Sequence, residues 1–278
     1  MVEPGVASVR DPGRVAVNKV ISTDGTPIAF ERYGQGPPVI LVGGALCDRA
    51  SHRPLAERLA EGFTAITYDR RGRGDSGDTP PYEVQREIED VSALVTAAGG
   101  SAALYGHSSG AALALRAAAS DLPVTKIVLH EPPYNQDDDE QRQISRQYAE
   151  ELERILADGR SDDAVAHFMT TVGMPPEAVA HSRTEPWWHG MVGMAPTLAY
   201  ESAVMGDRDG GTVPSGLLGR VTAPALVLCG GASPDWMVDV GRHIADGLSE
   251  GHHKVLDGED HVVAPEVLVP VLARFLAE

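Results

Sequence analysis

Gly106-His107-Ser108-Ser109-Gly110 is the stretch of this chain whose residue types and spacing point most directly to chemistry. The pattern G-x-S-x-G suits a serine set on a sharp turn from strand to helix, where a strained backbone lifts its Oγ clear of the sheet. Side chains two residues before and after that serine would collide across the turn, and both positions are glycine. A helix starting at the next residue aims its N-terminal N–H groups at the same place, where charge developing on an attacked carbonyl oxygen can be held. The other reading is a Gly-Ser turn with no chemical task. Context decides: Ala102 to Gly106 reads as a buried strand and the Ala-rich stretch Ser109 to Ser120 as a helix. Ser108 is the candidate nucleophile, and a serine hydroxyl needs a base.

Ten histidines compete for that role. His261 ends the polar run Asp257-Gly258-Glu259-Asp260, between the last strand and the last helix, and follows the serine in chain order. His252 and His253 are expected to precede the last strand, at its opposite end, as surface residues. His107 adjoins the nucleophile, but its side chain should point away from Oγ and pack in the core or shape the pocket. Two acids can orient the base. Glu131 leaves the strand Lys126 to His130, and a carboxylate at the end of a buried strand wants a partner such as an imidazole N–H. Asp235 stands at the start of the helix expected at Pro234 to Leu248, where an acid in the N-cap region has its own reason to be. Glu131 is preferred, and Asp235 stays open as the alternative acid.

The elements that must position these groups alternate along the chain. Strands are expected at Val15 to Ile21, Ile28 to Tyr33, Val39 to Val42, Thr64 to Tyr68, Ala102 to Gly106, Lys126 to His130, Ala225 to Leu228 and Lys254 to Asp257. The first two read as an antiparallel hairpin across Asp24-Gly25. Helices fall at Pro54 to Glu61, Tyr82 to Ala98, Ser109 to Ser120 and Pro234 to Leu248. A last helix, Pro265 to Leu276, puts Val267, Leu268, Val271, Leu272, Phe275 and Leu276 on one broad apolar face. From about Pro132 to Gly219 there are helix patterns and no strand. The four acids Asp137 to Glu140 suit the start of the first of these helices, as a solvated cap. The pattern implies an α/β fold, a mostly parallel eight-stranded sheet flanked by helices, with residues 1–131 and 220–278 as core and 132–219 as a helical cap insertion.

With these marks in place, the span from about Val15 to Leu276 resembles the α/β-hydrolase superfamily. The resemblance rests on the serine turn, on the late His261 before a final amphipathic helix, and on Tyr68-Asp69-Arg70-Arg71-Gly72-Arg73-Gly74-Asp75-Ser76. That last segment is similar to the one after strand four in esterases, lactonases and related small-molecule hydrolases. It implies a cap after strand six, and an oxyanion hole from the N–H of Ser109 and one from the loop Val42-Gly43-Gly44-Ala45-Leu46, at Ala45. It also implies an acid three residues after the glycine ending strand seven, which here is Ser233 and cannot serve. Some superfamily members carry the acid at the end of strand six instead, which is Glu131. The resemblance implies acyl transfer to water on a small, fairly apolar ester or lactone. A serine nucleophile argues against epoxide hydrolase and dehalogenase chemistry. A hydrolase-like binding protein with little turnover, or a cyclase, lyase or perhydrolase on the same fold, are the rival readings. In the insert, Trp187, Trp188 and Met191 can line an apolar substrate pocket or make up the cap's own core.

Composition narrows the partners. Lys and Arg number 23 against 40 Asp and Glu, a net charge of −17 that disfavours nucleic acid and anionic membranes. Cys47 and Cys229 read as buried free thiols, and no cluster has metal-ligand spacing, so no metal and no cofactor is implied. No run reaches a membrane span, and residues 1–14 lack an apolar leader region, so a cytoplasmic protein with a small-molecule substrate is expected. The oligomeric state is left open.

Overall fold

The computed structural model describes residues 16–278; Val15, the expected start of the first strand, and the segment 1–14 lie outside the described residues. Eight strands form one sheet in the order β1-β2-β4-β3-β5-β6-β7-β8. They are β1 (Asn18–Ile21), β2 (Pro27–Tyr33), β3 (Pro38–Val42), β4 (Thr64–Tyr68), β5 (Ala102–His107), β6 (Val124–His130), β7 (Ala225–Gly230) and β8 (Gly251–Leu256). The first hairpin forms as the Asp-Gly step requires: Gly25 takes φ +86° and Ser22 N–H donates to Thr26 O at 2.8 Å. β2 pairs antiparallel with β4, and from β4 to β8 every pairing is parallel. The middle strands are rich in apolar and β-branched residues because helices cover both faces: β4 and β7 are buried at every position.

On one face pack α2 (Val84–Ala98), α3 (Ser109–Ala118) and α10 (Asp235–Gly247); on the other pack α1 (Arg53–Leu59) and α11 (Pro265–Ala277). The alanines of α3 bring it close to the sheet, with Ala111, Ala112 and Ala114 wholly buried. Between β6 and β7 the described residues form α4 (Asp139–Ala157), α5 (Ser161–Thr171), α6 (Pro176–Ser182), α7 (Trp188–Met194), α8 (Leu198–Met205) and α9 (Ser215–Leu218). The only pairing in this segment is an isolated bridge between Asn135 and Thr212. Its middle has a core of its own, with Leu152, Ile155, Val165, Trp188 and Leu198. Its ends do not: Tyr134, Val204, Met205 and Leu218 belong to the same cluster as α3 and the sheet. Among the described residues no helix is long and apolar enough to cross a membrane.

Three expectations need correction. His252 and His253 lie within β8, which begins at Gly251. As an edge strand it alternates exposed and half-buried residues, so its first half carries no apolar signal. The face of α11 is narrower than its sequence stripe: Leu268 and Leu272 are buried, whereas Val267 is 39% exposed. α4 starts at Asp139, because Asp138 is its cap, Oδ1 accepting from Gln141 N–H at 2.9 Å.

The turn from β5 to α3 is closely packed on both sides of the serine. A Cβ on Gly106 would sit 2.4 Å from Gly110 O, and one on Gly110 would sit 2.3 Å from Val42 O. Between them Ser108 takes φ 57° and ψ −131°, a region that costs a non-glycine residue on the order of 1–3 kcal/mol. Its N–H donates to His130 O at 2.9 Å, which ties the turn to β6. Gly110→Ala is therefore expected to lower stability by about 3 kcal/mol or more in urea unfolding. Gly190→Ala, inside α7 with nothing within 4 Å of the added methyl, should be neutral or stabilising by up to about 1 kcal/mol.

Candidate active site

Parallel pairing brings the carboxyl ends of β3, β5, β6 and β7 level. Val42 lies opposite Gly106, His107 opposite His130, and His130 opposite Leu228. The residues following these strands share one edge of the sheet, the usual place for a site in an open α/β fold. Ser108 follows β5, Glu131 follows β6, and His261 comes from the loop after β8.

Glu131 is wholly buried and takes φ 47°, turning its side chain back along the sheet edge. One carboxylate oxygen, Oε2, is 2.6 Å from His261 Nδ1; the other, Oε1, accepts from Gly230 N–H at 2.6 Å. Ser233 is buried beside them. Burial alone would raise the Glu131 carboxyl, but the bond from His261, the Ser233 hydroxyl and the Gly230 N–H outweigh it and hold the group below its ordinary range. Of the two acids weighed from the sequence, Glu131 is the one bonded to His261. Asp235 is the exposed first residue of α10 and makes no bond to the imidazole.

The His261 loop is seated on the end of β7. A Cβ on Gly230 would come within 2.4 Å of Glu259 O and 2.7 Å of Asp260 O, so only glycine lets the loop approach. Ala232 N–H donates to Glu259 O and Gly231 N–H to Leu256 O, each at 2.8 Å. The imidazole itself is 39% exposed, open on the side away from Glu131.

His107 does point away from the turn, and it has a task there. Its Nε2 lies 2.8 Å from the backbone O of His261, so the imidazole next to Ser108 braces the loop that carries the other imidazole. Its ring lies 4.7 Å from that of His261 and 4.9 Å from that of His130, centre to centre. His130 is 1% exposed, with Nδ1 at 2.8 Å from the Tyr105 hydroxyl. Burial pushes the His130 imidazole down to about 4, and His52, 6.1 Å from the His107 ring, likewise to about 4. His107 is pushed well below its ordinary value by burial and by its imidazole neighbours.

The loop Val42 to Leu46 approaches Ser108. A Cβ on Gly44 would be 2.9 Å from Ser108 Cβ and 3.5 Å from Ser108 Oγ, so the backbone approaches where no side chain could. Ala45 follows, half-buried, and Ser109 opens α3, leaving its N–H in the unpaired first turn. Behind this loop stand Arg70 and Arg73, both buried and paired with Glu87 and Glu201.

The three residues expected to line a substrate pocket are placed differently from one another. Trp188 is 2% exposed in the core of the helical segment, its Nε1 donating to Asp162 Oδ1 at 2.5 Å. Trp187 is 46% exposed. Met191 is half-buried against the cluster that also takes in Ala45 and Leu46. Cys47 and Cys229 are free thiols, Cys229 buried and Cys47 half-buried. Sequence reasoning missed the loop-bracing role of His107, the Gly230 N–H on the acid, and the arginine pairs. A signal for the last existed: three arginines within four residues after a buried strand need carboxylates, and Glu87 and Asp90 stand three apart on α2.

Known proteins resemble this chain to different extents. A crystallised alpha/beta hydrolase from Sphaerobacter thermophilus is 51% identical, with TM-score 0.84, over 93% of this chain and 100% of that one. The 2-(acetamidomethylene)succinate hydrolase of Mesorhizobium japonicum is 34% identical over 45% of this chain and 42% of its own length. The N-formylmaleamate deformylase of Pseudomonas putida is 37% identical over 41% of this chain and 44% of its own. This chain thus spans less than half the length of the curated relatives it matches. The profile of the alpha/beta hydrolase family matches residues 39–270, from β3 into α11, and the chain belongs to that family.

Proposed function

We propose that this protein is a serine hydrolase in which Ser108, His261 and Glu131 act as nucleophile, base and orienting acid. The observation that carries this reading is the 2.6 Å bond between His261 Nδ1 and a buried carboxylate whose other oxygen is tied to Gly230 N–H. Family membership and the hydrolase names of the relatives support hydrolysis in the coarse sense. An ionised Glu131 can only accept, so the proton of a neutral His261 sits on Nδ1 and the lone pair on Nε2 is free for the serine. Ser108 Oγ then bonds the acyl carbon while its proton passes to Nε2. Glu131 balances the imidazolium without taking the proton. The N–H groups of Ser109 and Ala45 receive the oxyanion. The leaving group departs with the proton from Nε2, and a water deprotonated by the same atom releases the acid and restores Ser108.

A small, fairly apolar ester or lactone suits the surroundings. Arg70 and Arg73 are already neutralised by Glu87 and Glu201 and offer no free charge to an anionic substrate. Ala45, Leu46 and Met191 present apolar atoms to the same region. The second reading is cleavage of an acyl C–N bond, favoured by the deformylase among the relatives. A panel of p-nitrophenyl esters beside formamides and anilides of matched size separates the two.

On its best ester, Ser108→Ala should abolish turnover, and Glu131→Gln should lower kcat about 10³–10⁴-fold by leaving the wrong tautomer. Asp235→Asn should stay within about twofold, as for a surface change. Adding Ser233→Asp to Glu131→Gln should recover part of the loss, since residue 233 is buried next to the lost carboxylate. Loss in Asp235→Asn with an unaffected Glu131→Gln overturns the assignment of the acid.

The buried imidazoles set the response to acid. His130 titrates near 4 when folded and near 6.5 when unfolded, so between these values the unfolded chain binds more protons and stability falls as pH falls. Between pH 7.5 and pH 5 this single group is expected to remove on the order of 2 kcal/mol of unfolding free energy. Urea unfolding at the two pH values should show the loss, and His130→Gln should reduce it by about that amount while His52 and His107, depressed in the same direction, keep their share.

A further inference from the structure

The oxyanion loop rests on a pair of buried arginines. Gly44 O accepts from Arg73 Nη1 at 2.7 Å, and Cys47 O from the same nitrogen at 3.0 Å. Gly43 O accepts from Arg70 Nη1 at 3.2 Å. Arg73 is in turn held from the helical segment: its Nη2 pairs with Glu201 Oε1, and its Nε donates to Thr197 Oγ1 at 3.2 Å. The second oxygen of Glu201 takes Arg70 Nη1 at 2.8 Å. One carboxylate on α8 therefore holds both guanidinium groups that hold the loop.

Two glycines in a row leave the Gly43 and Gly44 peptides free to rotate, and nothing in their own side chains sets the direction of the next N–H. In a trans peptide the C=O and the following N–H point opposite ways. Fastening Gly44 O to Arg73 on the buried side turns Ala45 N–H away from Arg73, on a backbone already within touching distance of Ser108 Cβ. Leu46 holds the far end of the loop. It takes φ 54°, unusual for leucine, and is 5% exposed within the core that contains Leu152, Trp188 and Leu198.

We propose that Arg73 is a positioning residue of the oxyanion hole, fastened by Glu201 and Thr197, so that Ala45 N–H is aimed at the site only while α8 is seated. This rests on the acyl-transfer reading and adds to it a device that couples the helical segment to transition-state binding. A buried ion pair is a poor device for stability alone, because desolvating both charges offsets most of their attraction. Its use here is direction: a guanidinium with donors in a fixed plane sets the angle of a peptide that glycine leaves loose.

The test compares wild type with Arg73→Met, Arg73→Lys, Thr197→Val and, as an equally buried control, Arg71→Lys, whose guanidinium binds Asp90 and Asp24 away from the loop. Three quantities are read on folded protein, with the unfolding midpoint measured for each: kcat and KM on one ester, labelling of Ser108 by a fluorophosphonate, and inhibition by an arylboronic acid, which forms a tetrahedral adduct on the serine. Arg73→Met should lower kcat and boronate affinity together by about 10²-fold with KM within about threefold, the size of losing one oxyanion donor. Arg73→Lys should recover part of this, because an ammonium can still reach Gly44 O. Thr197→Val should lose a few-fold in the same two quantities, and it decides the matter with Arg73→Lys if Arg73→Met does not fold. Wild-type kcat and boronate affinity in those variants, or an equal loss in Arg71→Lys, overturns the inference while leaving the nucleophile in place. Failure of wild type to be labelled at Ser108 overturns the acyl-transfer reading and this inference with it.

Discussion

A wholly buried, ionised carboxylate is the demand around which the active edge of this protein is organised. Glu131 has no water to solvate it, so each oxygen must have a fixed donor. Gly230 N–H is available because β6 and β7 run parallel with their ends level. His261 Nδ1 is available because its loop lies on Gly230, which has no Cβ to push it off. His107 then reaches across from the serine turn to the His261 carbonyl. Remove the carboxylate and the imidazole loses its orientation; remove the glycine and the loop cannot reach the carboxylate.

The same demand accounts for the serine at position 233. Ser233 lies against Glu131, and a second carboxylate there would face the first at close range in a site with little solvent, where both could not stay ionised. A hydroxyl can donate where an aspartate could not. In this chain the carboxylate bonded to His261 stands just after β6, and the residue three after Gly230 is compatible with it. From the sequence the two acids could be ranked but not separated, because the choice depends on which one an imidazole 26 to 130 residues away can reach. The sheet register decides that distance, and the register is not written in either local sequence.

What was legible follows the same division between local and long-range information. Strand β4, the β5-to-α3 turn and the Asp-Gly hairpin were readable because each is specified by its own few residues: a buried run, two glycines around a serine, a positive φ. Ser108 and His261 were singled out as candidates on such local signals. The first half of β8 was missed because an edge strand exposes every other side chain and Gly251-His252-His253 carries no hydrophobic signal. Trp187 and Trp188 illustrate a further limit. Adjacent residues near a helix start face different ways, and only the packing of α5 against α7 puts Trp188 inward, on Asp162, and Trp187 out.

The arginines show how charge can be as structural as apolar contact and still be hidden from a pattern-based reading. Arg70, Arg71 and Arg73 would be read as a solvated loop by composition, yet all three are buried. Their four partners come from three places: Glu87 and Asp90 on α2, Asp24 in the first hairpin, and Glu201 on α8. Arg71 ties the hairpin to α2, a role confined to the scaffold. Arg70 and Arg73 face the other way, toward the carbonyls of the loop over Ser108, and share Glu201 with the helical segment. Leu46 enters the core of that same segment. The helices between β6 and β7 are thus joined to the loop beside Ser108 by both charge and packing, so the proposed coupling of α8 to that loop has two routes rather than one.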